Sequence, residues 1–297
     1  MDSSLKEKKL PINPILSLFV GVLAISTGAI LVRLAEEAPA LVIAAYRVGI
    51  AAVIIFPIAF ATARDELLNL STSDLKIALI AGFFLAMHFA AWVSSLKYTS
   101  IANSVVLVNT SPLWVGIFAP VITKEKIKPM VVLSILISIL GAAIIGYGDY
   151  SSESSALWGD FLALAGGFSM AGYLLMGKKL RHKLSLIAYV FVCYGSSAIL
   201  LWSLVILLGL QLWGFSGQTV AAFFSMALFP QLLGHSCYNW ALKYFSTGLV
   251  AVSLLGEPVG SIILAYVLFH EGLTVMKCIG GGFILTAIYL AASRENS

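Results

Sequence analysis

Charge is what this sequence has least of. Only 11% of its 297 residues are Asp, Glu, Lys or Arg, against roughly 25% in a soluble domain. Hydrophobic residues make up 60%, more apolar surface than a single core of this size can hide from water. The composition excludes a soluble enzyme or a nucleic-acid binder and makes the lipid bilayer the solvent. The net charge of +4 is mild, and the basic residues cluster in short connections between apolar runs. Cysteine is also scarce. Cys193, Cys237 and Cys278 sit inside apolar segments without paired spacing, so they read as small buried hydrophobes, neither metal ligands nor a disulfide framework. No metal or cofactor motif is present.

Alternation at period two is missing as well, which argues against membrane strands. Instead there are ten continuous apolar runs of about the length a spanning helix needs: 15–34, 40–62, 75–96, 101–122, 130–148, 157–177, 186–210, 220–242, 247–269 and 275–292. The first follows Lys6, Lys8 and Lys9 as a signal peptide would. It is longer than an h-region of roughly 7–15 residues and no cleavage site follows, so it reads as a retained helix.

A repeat organises these runs. Leu96-Lys97-Tyr98-Thr99-Ser100 returns as Leu242-Lys243-Tyr244-Phe245-Ser246, an offset of 146 residues. The register then holds without a gap to Glu125 and Glu271, placing Pro112 on Pro258, and upstream it places Gly21 on Gly167 and Gly49 on Gly195. The chain divides into a tail 1–14, a five-helix unit 15–149, an outer linker 150–156, a second unit 157–292 and a tail 293–297. Five is odd, so the second unit enters the membrane from the opposite side. The expected fold is all-α, with ten transmembrane helices as two inverted repeats around a central cavity, a construction that places a binding site near the midplane. Lys and Arg gather in alternate connections: Arg64 and Lys76; Lys124, Lys126 and Lys128; Lys178, Lys179, Arg181 and Lys183; Lys243; and Arg294. That bias puts both termini in the cytoplasm.

Polar residues inside the bilayer cost about 2.5–3.5 kcal/mol each when charged and so are functional candidates. Glu257 lies ten residues into the ninth run, roughly 15 Å deep at helical rise. Pro258 follows it and breaks the backbone hydrogen-bond ladder. A carboxylate there suits a cation or a proton; the alternative is a structural carboxyl, neutral or paired with Arg47. Arg47 in the second run either binds an anionic substrate group, or snorkels, or pairs with Glu36, Glu37 or Glu257. His88 and His235 are near-equivalents in the two units, displaced by one residue from the register. His88 shares a face with Trp92; His235 shares one with Gln231, Tyr238 and Asn239. Asn109 and Ser111 precede Pro112, the counterpart of Pro258. Ser26, Thr27, Ser169 and Tyr173 complete the candidates, each open to the alternative of interhelical hydrogen bonding. Small residues in the fifth run (Ser134, Ser138, Gly141, Ala142) and the tenth (Gly280, Gly281, Gly282) serve either bundle packing or a homodimer through those helices.

Three fragments resemble enzyme motifs. Gly214-Phe215-Ser216-Gly217 lies in a connection, Gly146-Tyr147-Gly148-Asp149 has no second buried Asp, and Gly280 to Gly282 follows no strand. None supports catalysis.

The repeated Lys-Tyr phrase, the helices with Pro112 and with Glu257-Pro258, and the glutamates Glu125 and Glu271 that follow them resemble the EamA-type members of the drug/metabolite transporter superfamily over residues 15–292. Arg47 falls where the first unit of such proteins commonly has Arg. The resemblance implies a basket-like bundle in the cytoplasmic membrane, with a cavity lined by the first, third, fourth, sixth, eighth and ninth helices. It implies transport of a small organic metabolite, often an amino acid, with no cofactor. The basic groups of the sugar-phosphate branch lack a match here, Lys277 being the only basic residue inside the tenth run. Alternating access with protonation of Glu257 as the coupling event is the reading that follows; a pore or a structural membrane protein is the alternative.

Overall fold

The computed structural model describes residues 13–99, 101–148, 154–269 and 274–293. Most of both tails, with Lys6, Lys8, Lys9 and Arg294, lies outside the described residues, as do Ser100, Asp149, most of the linker and Glu271. Ten helical rods follow in order: α1 Pro14–Leu34, α2 Ala40–Thr62, α3 Thr72–Ser95, α4 Ser104–Ile122, α5 Pro129–Gly148, α6 Ser154–Arg181, α7 Leu186–Leu207, α8 Gly217–Ala241, α9 Thr247–Leu268 and α10 Val275–Ser293. Among the described residues, nine are long and apolar enough to cross a membrane, and α5 carries a shorter apolar stretch, Pro129–Ile145. No strand occurs among the described residues.

Side-chain caps set several of the starts. Asn13 accepts from the Ile15 amide at 2.9 Å, and Pro14 occupies the first turn, where its missing N–H costs nothing. Ser71, Ser185, Ser216 and Ser246 cap α3, α7, α8 and α9 in the same way. These caps place the starts of α3 and α8 three residues earlier than the apolar runs alone do.

The rods pack in a pattern that respects the repeat. The most extensive pairings are α3 with α6, α5 with α10, α1 with α8 and α2 with α7, followed by α4 with α6, α3 with α7, α1 with α9 and α2 with α8. Exchanging each rod of the first unit for its counterpart in the second turns α3–α6 into α1–α8, α3–α7 into α2–α8 and α4–α6 into α1–α9. The α2–α7 and α5–α10 pairings map onto themselves. Glycines permit the closest approaches. A Cβ on Gly82 would stand 2.7 Å from the Cys193 carbonyl of α7, and one on Gly141 would stand 2.6 Å from the Gly280 carbonyl of α10. The small residues of α5 and α10 thus meet each other within the chain, while Gly282 faces open space. The outer surface is apolar: Val53, Val121, Leu157 and Leu207 are each more than 70% exposed, the arrangement expected of side chains facing hydrocarbon.

Three rods are broken at mid-length. α1 is interrupted at Thr27, between Pro14–Ser26 and Gly28–Leu34. α4 breaks at Asn109 and Thr110 before Ser111–Ile122, and α9 breaks at Leu255 before Gly256–Phe269. Pro112 and Pro258 fall in the first turn of the second half-helices, where Pro is tolerated. A fourth distortion lies in α8, where Ala227–His235 winds as a π-helix containing Pro230. Such wide turns are rare and recur at functional sites.

Candidate functional site

The breaks converge on one cavity. It holds about 400 Å³ of empty space and is lined by Ile25, Arg47, His88, Phe89, Trp92, Val108, Asn109, Ser111, Met170, His235, Leu254 and Glu257. Seven of these are sequence candidates: Arg47, His88, Trp92, Asn109, Ser111, His235 and Glu257. The lining comes from α1, α3, α4, α6, α8 and α9, and also from α2 through Arg47. Clear space for about one water molecule remains between these side chains, so the cavity is contracted on its own polar groups.

Arg47 is 2% exposed. Its Nε donates to Gln231 Oε1 at 3.0 Å, and its guanidinium carbon lies 4.0 Å from the centre of the Phe89 ring. Glu257 stands in the first turn of the second half of α9, where the helix dipole favours a carboxylate. Asn109, at the α4 break, lines the same cavity as Glu257 and donates its Nδ2 to the Val105 carbonyl at 2.8 Å. Ser26 at the α1 break donates to the Glu257 carbonyl at 3.4 Å, and Ser261 donates to the Ser26 carbonyl at 3.0 Å. Arg47 and Glu257 attract across the cavity, yet no ion pair joins them; the ion pairs among the described residues are Lys178–Glu125 and Lys183–Asp74. Neither Glu36 nor Glu37 pairs with Arg47.

The two histidines share the cavity, with ring centres 6.3 Å apart, but they are not equivalent. At the repeat offset His88 falls on Gly234, so His235 is turned about 100° further round its helix. Gly234 lies at the α1 contact, where a Cβ would come 2.6 Å from Ile25. His88 Nδ1 is 3.0 Å from the Gly166 carbonyl. A carbonyl only accepts, so this nitrogen carries a proton, and in the neutral tautomer Nε2 is an acceptor. His235 Nδ1 is buried without a partner.

Other buried polar atoms on or behind the wall are also unpartnered: Trp92 Nε1, Ser111 Oγ and Gln231 Nε2. Such groups are costly unless water or a ligand meets them. Gln231 and Tyr173 stand just behind the lining. Asn239 Nδ2 donates to the Tyr173 hydroxyl at 2.5 Å and to the Tyr194 hydroxyl at 3.4 Å, and Tyr194 also meets Ser236 at 3.2 Å. Tyr238 lies away from the lining, with its ring close to Gly21 of α1 and its hydroxyl buried without a partner. Phe89, Met170, Leu254 and Tyr194 were not singled out from the sequence. Phe89 adjoins His88, and an aromatic next to an intramembrane histidine was the available signal. Nothing marked the other three among so many apolar neighbours.

Ten apolar rods in two like-packed groups of five, with a polar cavity at their broken mid-lengths, define a membrane transporter. The chain belongs to the EamA-like transporter family, whose pattern matches it twice, over residues 12–147 and 157–293. It is similar to proteins called uncharacterized transporters. One from Clostridium kluyveri is 28% identical over 80% of this chain and 78% of its own length. One from Archaeoglobus fulgidus is 25% identical over 75% and 77%, and YetK of Bacillus subtilis is 23% identical over 88% and 80%. A crystal structure that is 19% identical superposes with a TM-score of 0.76, covering 95% of this chain and 97% of the other.

Proposed function

We propose that this transporter is a secondary carrier. It moves a small organic metabolite, an amino acid or a similar amphipathic compound, across the cytoplasmic membrane by alternating access. The observation that carries the reading is a buried cation and a buried carboxylate, Arg47 and Glu257, facing one cavity without pairing. A substrate with an anionic and a cationic group would bridge them, and Phe89, Trp92, Leu254 and Met170 supply the apolar walls. The contracted cavity supports movement: a substrate fits only when the two units shift apart. Five rods per unit and short connections favour opposed orientations of the two units, and the basic residues at the Lys178 end favour placing that end in the cytoplasm. Protonation of Glu257 is the coupling event, since a neutral carboxyl releases a bound cationic group. In proteoliposomes, Glu257→Gln should still bind substrate weakly but lose acceleration of uptake by a pH gradient. Full gradient dependence in that variant would overturn the coupling role.

A further inference from the structure

Away from the cavity, a second cluster of opposite charges ties the two units together. Glu125 lies in the connection after α4, in the first unit. Its carboxylate accepts from Lys178 Nζ at 3.3 Å on α6, and from the Thr247 amide at 3.2 Å and the Thr247 hydroxyl at 2.6 Å at the start of α9. Thr123 closes it from its own side at 3.1 Å. Lys178 Nζ donates further to the Leu242 and Phe245 carbonyls at 3.1 and 2.6 Å. The side chains of Lys178 and Glu125 are only 11% and 19% exposed. An ammonium has three donors, and Glu125, Leu242 and Phe245 engage all three. The cluster is therefore complete in itself. It acts as a tie and leaves no vacancy for a ligand.

Its position gives the tie a role. It stands where α4, α6 and α8 end, at the same end as Arg181, whose Nε donates to the Asn239 carbonyl at 2.9 Å. The opposite end carries crevices instead. There a crevice of about 660 Å³ is lined by Ala29, Val32, Arg33, Glu36, Leu96 and Lys97, and one of about 610 Å³ by residues including Glu36, Ser94 and Tyr98. Ala29 and Leu96 lie about one helical turn beyond Ile25 and Trp92 of the cavity. The crevice therefore lies on the Arg33 side of the cavity, whereas the tie stands at the Lys178 end.

We propose that Glu125, Lys178 and Thr247 form a latch that holds the Lys178 end shut and must release as one unit when the cavity opens there. The role as one gate of a carrier rests on the transport reading above; the latch itself is testable without transport. The links from Glu125 to Lys178 and to Thr247 join the first unit to the second, so their release frees one unit from the other at this end. Its charges are largely out of water, so a lost partner is not replaced until the end opens and rehydrates.

The test is pulsed EPR on the full chain in lipid nanodiscs. Spin labels are placed at Lys126→Cys and Lys243→Cys, both exposed at that end, after replacing Cys193, Cys237 and Cys278 with Ala. Glu125→Gln and Lys178→Met should each raise the ratio of long to short distances by roughly tenfold, a shift of about 1.4 kcal/mol. Thr247→Val removes only the 2.6 Å hydroxyl bond and should shift the ratio the same way by less, which keeps the test valid if a charge variant fails to fold. Distance distributions that superimpose on the unsubstituted protein in all folded variants would overturn the latch. Opening in a protein that carries nothing across the bilayer would sustain the latch and remove the transport reading instead.

Discussion

Arg47 offers a prediction in which stability and function move in opposite directions. Its contacts are a charged hydrogen bond to Gln231 at 3.0 Å and a cation–π contact at 4.0 Å over Phe89. The first is worth about 1.5–3 kcal/mol and the second about 0.5–2 kcal/mol. Against them stands the cost of holding a guanidinium at 2% exposure without an ion pair, several kcal/mol per buried ion. The balance is near zero or unfavourable, so the residue is not kept for stability. Arg47→Met preserves the apolar stem against Phe89 and removes the charge. The expected result is a melting temperature unchanged or higher, with uptake of an anionic-group substrate abolished. Arg47→Lys should keep the charge but lose the fixed guanidinium fork, leaving uptake weak. Differential scanning fluorimetry in detergent and uptake into proteoliposomes read the two quantities. A large drop in melting temperature for Arg47→Met, with uptake retained in the surviving protein, would refute the reasoning and make Arg47 structural.

Further outcomes follow from the geometry. Gly141→Ala should cost about 1–3 kcal/mol by overpacking, because the added methyl meets the Gly280 backbone carbonyl at 2.6 Å, which cannot turn aside; an unchanged melting temperature would mean α5 and α10 pack more loosely than described. His88→Asn should keep the hydrogen bond to Gly166 and the fold, since its amide nitrogen overlays Nδ1, while weakening the binding of substrates that donate to Nε2. Equal affinity in a thermal-shift titration would remove that nitrogen from the site. Glu37, in the connection between α1 and α2, is held below the ordinary carboxylate range by hydrogen bonds from the Thr219 side chain and from Ser216, whose amide lies at 2.6 Å. A depressed folded value means the tie is intact above the unfolded carboxylate range, about 4.3, and is lost only as pH falls through the lower folded value. Protection of the Ser216 amide, relative to its intrinsic exchange rate, should therefore persist through the ordinary carboxylate range and be lost only below it; loss of protection nearer neutrality would exclude the carboxylate as the tie.

The ten rods were legible because hydrocarbon demands long continuous apolar runs, and the repeat was legible because the Lys-Tyr phrase and the prolines keep one offset. The breaks at Asn109 and Leu255 could be anticipated from Pro112 and Pro258. The break at Thr27 could not, since α1 has no proline there, and the loosened turn is held by Thr27 Oγ1 donating to the Ala24 carbonyl at 2.7 Å. The π-helix of α8 was only hinted at by Pro230. The one-residue displacement of His235 from His88 was visible, but its meaning required the α1–α8 contact at Gly234. Arg47, Glu257 and Asn109 were identifiable as costly polar groups in the membrane. That the cation and the acid would face one cavity unpaired was not, because pairing between residues 210 positions apart depends on how α2 and α9 are set in the bundle. Tyr194 and its bonds to Asn239 and Ser236 were hidden for the same reason.

The proposed carrier exposes the Arg47–Glu257 cavity to one side at a time. Counterflow measures this most directly: proteoliposomes are loaded with an unlabelled amino acid that raises the protein's melting temperature, and entry of the labelled form is followed from outside. Saturable entry, accelerated by the internal amino acid and lost in Arg47→Met, is the expected result. Flux that rises linearly with concentration, is indifferent to the internal amino acid and survives Arg47→Met would contradict it.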